Sequence, residues 1–299
     1  MTNSIEDFNE ILLREEPLSR HTWLRVGGPA EFFFTPRTRD ELFALVRFCR
    51  SQQISMQILG GGSNVLVRDE GVRGAVIKLM DPLLSSTTVS GTTITAEGGT
   101  LLSHVVSEAC RSGLAGIEHL VGVPGTIAGA VVGNSGGRLG DIGQVVRTVT
   151  VLTQDGDIAD RTGDELTFSY RRSNLQDLIV LSVVLQLVSD DSEELTRRMR
   201  KNWIMKRSTQ PLADQSAGCI FRNPRGLSAG ALIEQCGLKG AACGKARISD
   251  RHANFVVTDS GATSSDVWKL IERVQHDVLK KFSVELELEI KTWPPAAVA

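Results

Sequence analysis

Two glycine-dense loops are the first residues in this sequence with an evident chemical use. Gly60-Gly61-Gly62-Ser63-Asn64 follows the short apolar run Met56 to Leu59. Consecutive glycines let backbone N–H groups converge on an anion with no Cβ in the way. The loop is not the dinucleotide fingerprint GxGxxG, because its third glycine is missing and strand-like Val65-Leu66-Val67 stands where a helix should begin. It is not a P-loop either, since no Gly-Lys-Ser/Thr follows. The second loop, Val121 to Gly137, holds six glycines and one proline among mostly small side chains. Little of it can fill a core, so it suits a backbone lying flat against a large ligand. Pro124 can open a helix at its first position and aim free N–H groups at a pyrophosphate. A plain tight turn and a glycine-rich helix-packing segment are the competing readings of the two loops.

The charged and sulfur residues offer less on their own. Arg171 and Arg172, in Tyr170-Arg171-Arg172-Ser173, read by default as surface charges. Glu285, Glu287 and Glu289 alternate with Val284, Leu286, Leu288 and Ile290, so they share one face of a strand, and periodicity does not choose among them. Five cysteines without a CxxC pair, and five scattered histidines, predict neither a disulfide framework nor a metal site. Free thiols fit a reducing cytosol. Cys49, Cys110 and Cys236 fall in predicted helices and read as core thiols.

The elements that must position these residues form a mixed α+β pattern. Thr38 and Glu41 have capping-box spacing, and Leu42, Leu45, Val46 and Cys49 mark one helix face. A second helix carries Leu102, Val105, Val106 and Ala109. Strands are expected at Met56 to Leu59, Ala75 to Leu79, Val146 to Leu152 and Leu178 to Val188, and a charged helix ends near Arg207. Ser228 to Cys236 reads as a short helix stopped by Gly237. Thr263 and Asp266 begin a longer one with the buried stripe Val267, Leu270, Ile271, Val274 and Val278, and a closing strand is expected over Val284 to Lys291. With 299 residues, 41% hydrophobic and 23% charged, the chain can build two or three compact units. Composition shifts near Thr87 and over Ser189 to Glu194 place boundaries that give units 1–82, 83–190 and 191–299. A net charge of -2 argues against nucleic acid as the main partner. No apolar stretch is long enough to span a bilayer, so membrane insertion is not expected, and the N-terminal residues lack a secretory pattern. A cytoplasmic protein, most simply a monomer, is the expectation.

At this point the motifs in combination resemble a known family. The run Gly113 to Val145 resembles the flavin-binding segment of the UDP-N-acetylenolpyruvoylglucosamine reductase (MurB) family. Thr22 to Gly28, Leu59 to Val67, Phe168 to Ser173, Ser216 to Pro224, Ala229 to Gly240, His252 to Phe255 and Leu286 to Lys291 appear in that family's order, covering about the whole chain. The length resembles the family's compact type. The resemblance implies two subdomains that bind FAD in the manner of the vanillyl-alcohol-oxidase (PCMH) type, and a C-terminal α/β substrate-binding domain. It implies NADPH-dependent reduction of UDP-N-acetylglucosamine enolpyruvate to UDP-N-acetylmuramate, in peptidoglycan precursor synthesis and so in cell-wall biogenesis, cell shape and division. FAD is expected non-covalently, on Leu59, Gly60, Gly61, Gly62, Ser63, Asn64, Gly122, Val123, Pro124, Gly125, Thr126, Gly129, Ala130, Asn134 and Gly136.

The resemblance also assigns roles. Arg171 matches the arginine that contacts the substrate carboxylate, and a permanently charged guanidinium suits bidentate pairing. Glu289 matches a C-terminal glutamate that polarises and positions the enolpyruvyl group. Cys219, in Ala217-Gly218-Cys219-Ile220-Phe221-Arg222-Asn223-Pro224, stands where the family usually has a proton-donating serine. A thiol, with an ordinary pKa of about 8.5, stays mostly protonated at neutral pH and is far more acidic than a hydroxyl. Cys219 is therefore expected to be the general acid, and a small buried residue in an enzyme that has lost or rerouted the step is the competing reading. Lys206, Arg207, Asn223 and His252 are candidates for the sugar-nucleotide and nicotinamide phosphates. The alternatives are a related FAD-dependent oxidase of the same fold, or a non-catalytic flavin-binding homologue.

Overall fold

The structure, a computed structural model, describes residues 4–79, 84–137, 139–153, 156–176 and 178–294. Its helices are α1 (Arg39–Ser51), α2 (Leu102–Arg111), α3 (Ile127–Val132), α4 (Ser192–Thr209), α5 (Ala229–Gln235) and α6 (Ser264–Phe282). The chain forms two compact units that are not consecutive in sequence. One comprises residues up to Leu13, Phe33–Gly61 and Ala75–Met205; the other comprises Arg14–Phe32, Gly62–Gly74 and the chain from Lys206 onward. Segments 14–32 and 62–74 thus join the C-terminal unit, a division unlike the three consecutive units read from composition.

In the first unit, α1 forms where expected. The Thr38 hydroxyl accepts the Glu41 N–H at 3.1 Å, while the Glu41 carboxylate folds back past the cap to the Arg37 N–H at 2.7 Å. Burial pushes the Cys49 thiol up to about 11. It does the same at Cys110, with the Glu118 carboxylate adding to it. Both sulfurs are inert core groups at neutral pH. The Met56–Leu59 strand pairs in parallel with 75–78. A five-stranded antiparallel sheet follows the order Ile158–Thr162, Val146–Leu152, Ile179–Gln186, Thr93–Glu97, Thr87–Ser90. Its inward residues Ile94, Val149, Val183 and Leu185 share a core with Leu102, Val105, Val106 and Ala109 of α2 and Ile127 and Val131 of α3. Helix α3 starts at Ile127 rather than at Pro124. Gly125, at φ +103, cannot be helical, and the Thr126 hydroxyl accepts the Gly129 N–H at 3.3 Å as the cap.

In the second unit, a sheet runs Gln215–Cys219, Phe255–Thr258, Ala246–Ile248, Ala242–Cys243. It packs with Leu232 and Ile233 of α5 and with the predicted stripe of α6, joined by Leu24, Val26 and Leu66. Thr263 and Asp266 make a reciprocal capping box at the start of α6. The closing strand differs from expectation. Regular pairing begins only at Lys291–Trp293, which lies parallel to Val65–Val67. Residues 284–290 make a single bridge, Leu288 to Phe221. Beside it the Gln275 carboxamide donates to the Leu286 carbonyl at 2.9 Å.

Asp69 supplies a second clamp on α6. Its carboxylate accepts the Ser264 N–H at 2.8 Å, the Ser265 N–H at 3.0 Å and the Ser265 hydroxyl at 2.7 Å. Burial opposes ionisation, but the Ser265 hydroxyl and the two N–H groups outweigh it and hold Asp69 below the usual carboxylate range. Asp69→Ala is expected to lower stability by about 1 kcal/mol, because solvent screens an exposed carboxylate at a helix start. The lowered pKa means this contribution is full above the ordinary aspartate range and vanishes as pH falls through the folded-state value. Urea midpoints of the two proteins, separate at pH 7 and converging in acid, check it.

Candidate active site

The two glycine loops meet in the first unit. A Cβ at Gly60 would lie 2.7 Å from the Thr126 hydroxyl oxygen, and one at Gly61 would lie 2.8 Å from the Gly125 Cα. Glycine is therefore required at both positions so that two main chains far apart in sequence can touch. Gly62, at φ +65, belongs to the second unit, where a Cβ would collide with the His21 carbonyl oxygen at 1.9 Å. In the second loop, Leu102 donates its N–H to the Gly125 carbonyl and Ile127 donates to Thr100, at 3.0 and 2.8 Å. Helix α3 buries Ile127, Ala130 and Val131 and leaves Gly129 exposed. Gly122 to Gly125 remain partly exposed, while Thr126 is buried.

Arg171 also stands in this unit, at a hairpin tip. Phe168–Ser169 pairs with Arg172–Ser173, which makes Tyr170 and Arg171 the two turn residues. The guanidinium lies 5.5 Å from the centre of the Tyr170 ring. Arg171 is half-buried, whereas Arg172 is exposed.

Cys219 and Glu289 come together in the second unit. The Gln215–Cys219 strand pairs Ser216 with Val257 and Cys219 with Phe255, so a bulge falls between them. Gly218, inside the bulge, has φ +75, and the space its missing Cβ would enter is open. A bulge re-aims the side chain that follows it; here that is the half-buried Cys219. One residue on, the Ile220 carbonyl accepts the Glu289 N–H at 2.8 Å, and the Glu287 carbonyl accepts the Arg222 N–H at 2.9 Å. The Asn64 carboxamide donates to the Glu289 carbonyl at 3.4 Å, and Lys291 donates its N–H to the Asn64 carbonyl at 3.1 Å. Asn64, Cys219 and Glu289, from three distant stretches, are thus tied through neighbouring main chain. Glu289 is half-buried, while Glu285 and Glu287 are exposed, a distinction that alternation alone did not make.

A model of the C-terminal domain of UDP-N-acetylenolpyruvoylglucosamine reductases matches residues 210–293, and a FAD-binding-domain model matches residues 30–161. The UDP-N-acetylenolpyruvoylglucosamine reductase of Heliobacterium modesticaldum is 42% identical over 294 residues, 97% of this chain and 93% of the relative. The chain belongs to the UDP-N-acetylenolpyruvoylglucosamine reductase family. The Moorella thermoacetica reductase is also 42% identical, over 94% of this chain and 93% of its own. The crystal structure of the reductase from Thermus caldophilus aligns with a TM-score of 0.81 at 39% identity, covering 93% of this chain and 97% of that one. A FAD-binding domain followed by the family's C-terminal domain, built of mixed helices and strands, is the α+β architecture expected from sequence.

The remaining predicted site residues of this reductase are spread among several elements. Asn223 accepts the N–H of Ala229, the first residue of α5, at 3.0 Å. Lys206 and Arg207 lie in the last turn of α4, and the Arg207 carbonyl accepts from Arg251 at 3.4 Å. His252 accepts the Asn254 N–H through Nδ1 at 3.2 Å and meets Phe255 edge-on, with ring centres 4.9 Å apart. Burial, with the Lys239 charge adding to it, pushes the imidazole below its ordinary pKa of 6.5. Neutral His252 is a hydrogen-bonding group rather than a cation for phosphate.

A depressed histidine pKa fixes the sign of a pH effect. Below about 6.5 the unfolded chain takes up a proton that the folded chain refuses, so stability falls as pH drops toward the folded-state value. His252→Gln is expected to flatten that fall between pH 7.5 and 5.5, as read from urea midpoints.

Sequence reading passed over Asn254, which is 3% exposed. Its carboxamide accepts the Phe221 N–H at 2.9 Å and donates to the Phe221 carbonyl at 2.7 Å. It fixes the chain as it leaves Cys219. The available signal was an amide set among apolar neighbours in Ala253-Asn254-Phe255-Val256, where a buried polar group must be paired.

Proposed function

We propose that this NADPH-dependent flavoenzyme reduces UDP-N-acetylglucosamine enolpyruvate with Arg171, Cys219 and Glu289 as its chemical groups. The observation that carries the assignment is the bulged strand ending in Cys219, tied through Ile220 to the main chain of Glu289. FAD suits the glycine-rich main chain of the meeting loops, where Leu59, Gly60, Gly61, Gly122, Val123, Pro124, Gly125, Thr126, Gly129 and Ala130 would hold it. Gly62, Ser63, Asn64 and Gly136 are further contacts. When bound, it supplies the hydride that NADPH provides.

The protein's own groups then have two tasks. Hydride addition to the terminal alkene carbon pushes an electron pair toward the substrate carboxylate. The Arg171 guanidinium pairs with that carboxylate and stabilises the growing charge, a role best filled by a preorganised donor. The Cys219 S–H delivers the proton to the carbon that bears the carboxylate, which completes the lactyl ether, and solvent later reprotonates the thiolate. Glu289 orients the enolpyruvyl group or a water beside it. Lys206, Arg207, Asn223 and His252 contact the nucleotide moieties, with His252 acting as a neutral hydrogen-bonding group. The enzyme works as a cytoplasmic monomer, and its product serves peptidoglycan synthesis and, through it, cell shape and division. No helix among the described residues is long and apolar enough to cross a membrane.

The test is steady-state NADPH consumption by the purified yellow protein. Oxidation that depends strictly on the enolpyruvyl sugar nucleotide supports the reading, and oxidation that proceeds equally with oxygen alone refutes it.

A further inference from the structure

Arg171 occupies a backbone state that arginine rarely adopts. Its φ is +57, in the left-handed region, at the tip of the two-residue hairpin turn. Such turns normally take glycine or asparagine where φ is positive. A bulky residue stays there only when its surroundings over-determine the backbone.

The determinant lies at the end of α3. Asn134 is 2% exposed and is itself left-handed, with φ +43. Its Nδ2 donates to the Ser169 carbonyl at 2.9 Å, and its Oδ1 accepts the Gly143 N–H at 3.0 Å. One carboxamide thus bridges the hairpin to the loop around Gly143. That loop comes close enough only because it has no side chain. A Cβ at Gly143 would sit 2.6 Å from Cγ of Phe168 and 2.9 Å from Oδ1 of Asn134. A second tie runs from the other hairpin strand, where the Ser173 hydroxyl donates to the Val132 carbonyl at 2.9 Å. The residues on both sides of the turn are therefore bonded to the segment that closes α3.

We propose that Asn134 is a positioning residue for Arg171, holding the left-handed turn that aims the guanidinium. The proposal rests on the role given above to Arg171. The Asn134 carboxamide, for which sequence suggested a cofactor contact, has main-chain partners of the protein itself at both ends.

The test exploits the chain's single tyrosine, Tyr170, which is half-exposed beside Arg171. Holoenzyme labelled with 3-fluorotyrosine has one ¹⁹F resonance, and that resonance reports the turn directly. Asn134→Asp keeps the size, the tolerance of positive φ and the acceptor for Gly143, but it loses the donor to Ser169. This variant should shift or broaden the resonance. It should also slow flavin reoxidation by the enolpyruvyl sugar nucleotide by about tenfold to a hundredfold, the scale of a misplaced catalytic group. Reduction by NADPH should stay within about twofold of normal, since it does not use the substrate carboxylate. Combining Asn134→Asp with Arg171→Ala should give an enzyme no slower than Arg171→Ala alone, because a residue acting through another adds nothing once its target is gone. Ser173→Ala, a milder cut of the second tie, should move the same resonance and covers the case in which Asn134→Asp does not fold. An unchanged resonance in the variants that fold, or a double variant slower than Arg171→Ala by the full factor of Asn134→Asp, overturns the proposal. Normal reoxidation by Arg171→Ala would instead overturn the role of Arg171, while the resonance still reports whether Asn134 fixes the turn.

Discussion

Cys219→Ala is expected to slow reoxidation of the reduced flavin by the enolpyruvyl sugar nucleotide by at least about tenfold and by as much as ~10⁴-fold, the range of a lost general acid. Reduction of the flavin by NADPH should proceed at the normal rate. The expectation follows from how the strand is built. The bulge before Cys219 and the open space at Gly218 mark a side chain turned out of a regular ladder. The carboxamide of Asn254 and the Ile220 link to Glu289 hold the chain that leads away from it. Alanine removes the proton and leaves that scaffold untouched. Cys219→Ser returns a hydroxyl of similar size and should recover much of the rate. Stopped-flow absorbance of the two half-reactions separates the effects. A reoxidation rate in Cys219→Ala equal to that of the parent enzyme means that the proton comes from elsewhere.

Arg171→Ala should be comparably severe, with reoxidation falling by about 10²–10³-fold, as for the loss of one preorganised donor to a developing anion. Lysine should restore little, because an ammonium cannot reproduce the planar, two-point pairing of a guanidinium with a carboxylate. A substrate whose carboxylate is blocked as a methyl ester gives an independent check. The parent enzyme should turn the ester over as poorly as Arg171→Ala turns over the acid, and the variant should scarcely distinguish the two. If the variant still prefers the acid by the parent's margin, another cation reads the carboxylate.

Local chemistry made much of this fold legible. Thr38 and Thr263 cap the helices that their spacing announced, Ser228 caps the short helix expected from that residue onward, and the apolar stripes of α1, α2 and α6 are the faces that enter the cores. What sequence did not reveal depends on pairings distant along the chain. Segments 14–32 and 62–74 join the C-terminal unit through contacts that no local pattern encodes, such as the Thr258 hydroxyl donating to the Leu24 carbonyl at 2.7 Å. The alternation of Val284 to Ile290 was real, yet the segment makes one rung of ladder, Leu288 to Phe221.

The candidate site divided in the same way. Its glycines were visible, but for Gly60 and Gly61 the structural reason is a touching loop, 2.7 and 2.8 Å from the hypothetical Cβ atoms. The buried amides Asn134 and Asn254 carry no periodic signal, because each is defined by a main-chain partner elsewhere in the fold. Resemblance selected Glu289 from three equivalent glutamates, and its half-buried setting beside Ile220 is consistent with that choice.

The most direct measurement is a single anaerobic turnover. The enzyme is bleached with one equivalent of NADPH, mixed with the enolpyruvyl sugar nucleotide, and followed at the flavin absorbance. The yellow colour should return without oxygen, with one lactyl ether formed per flavin. Flavin that stays bleached until air is admitted would contradict the account.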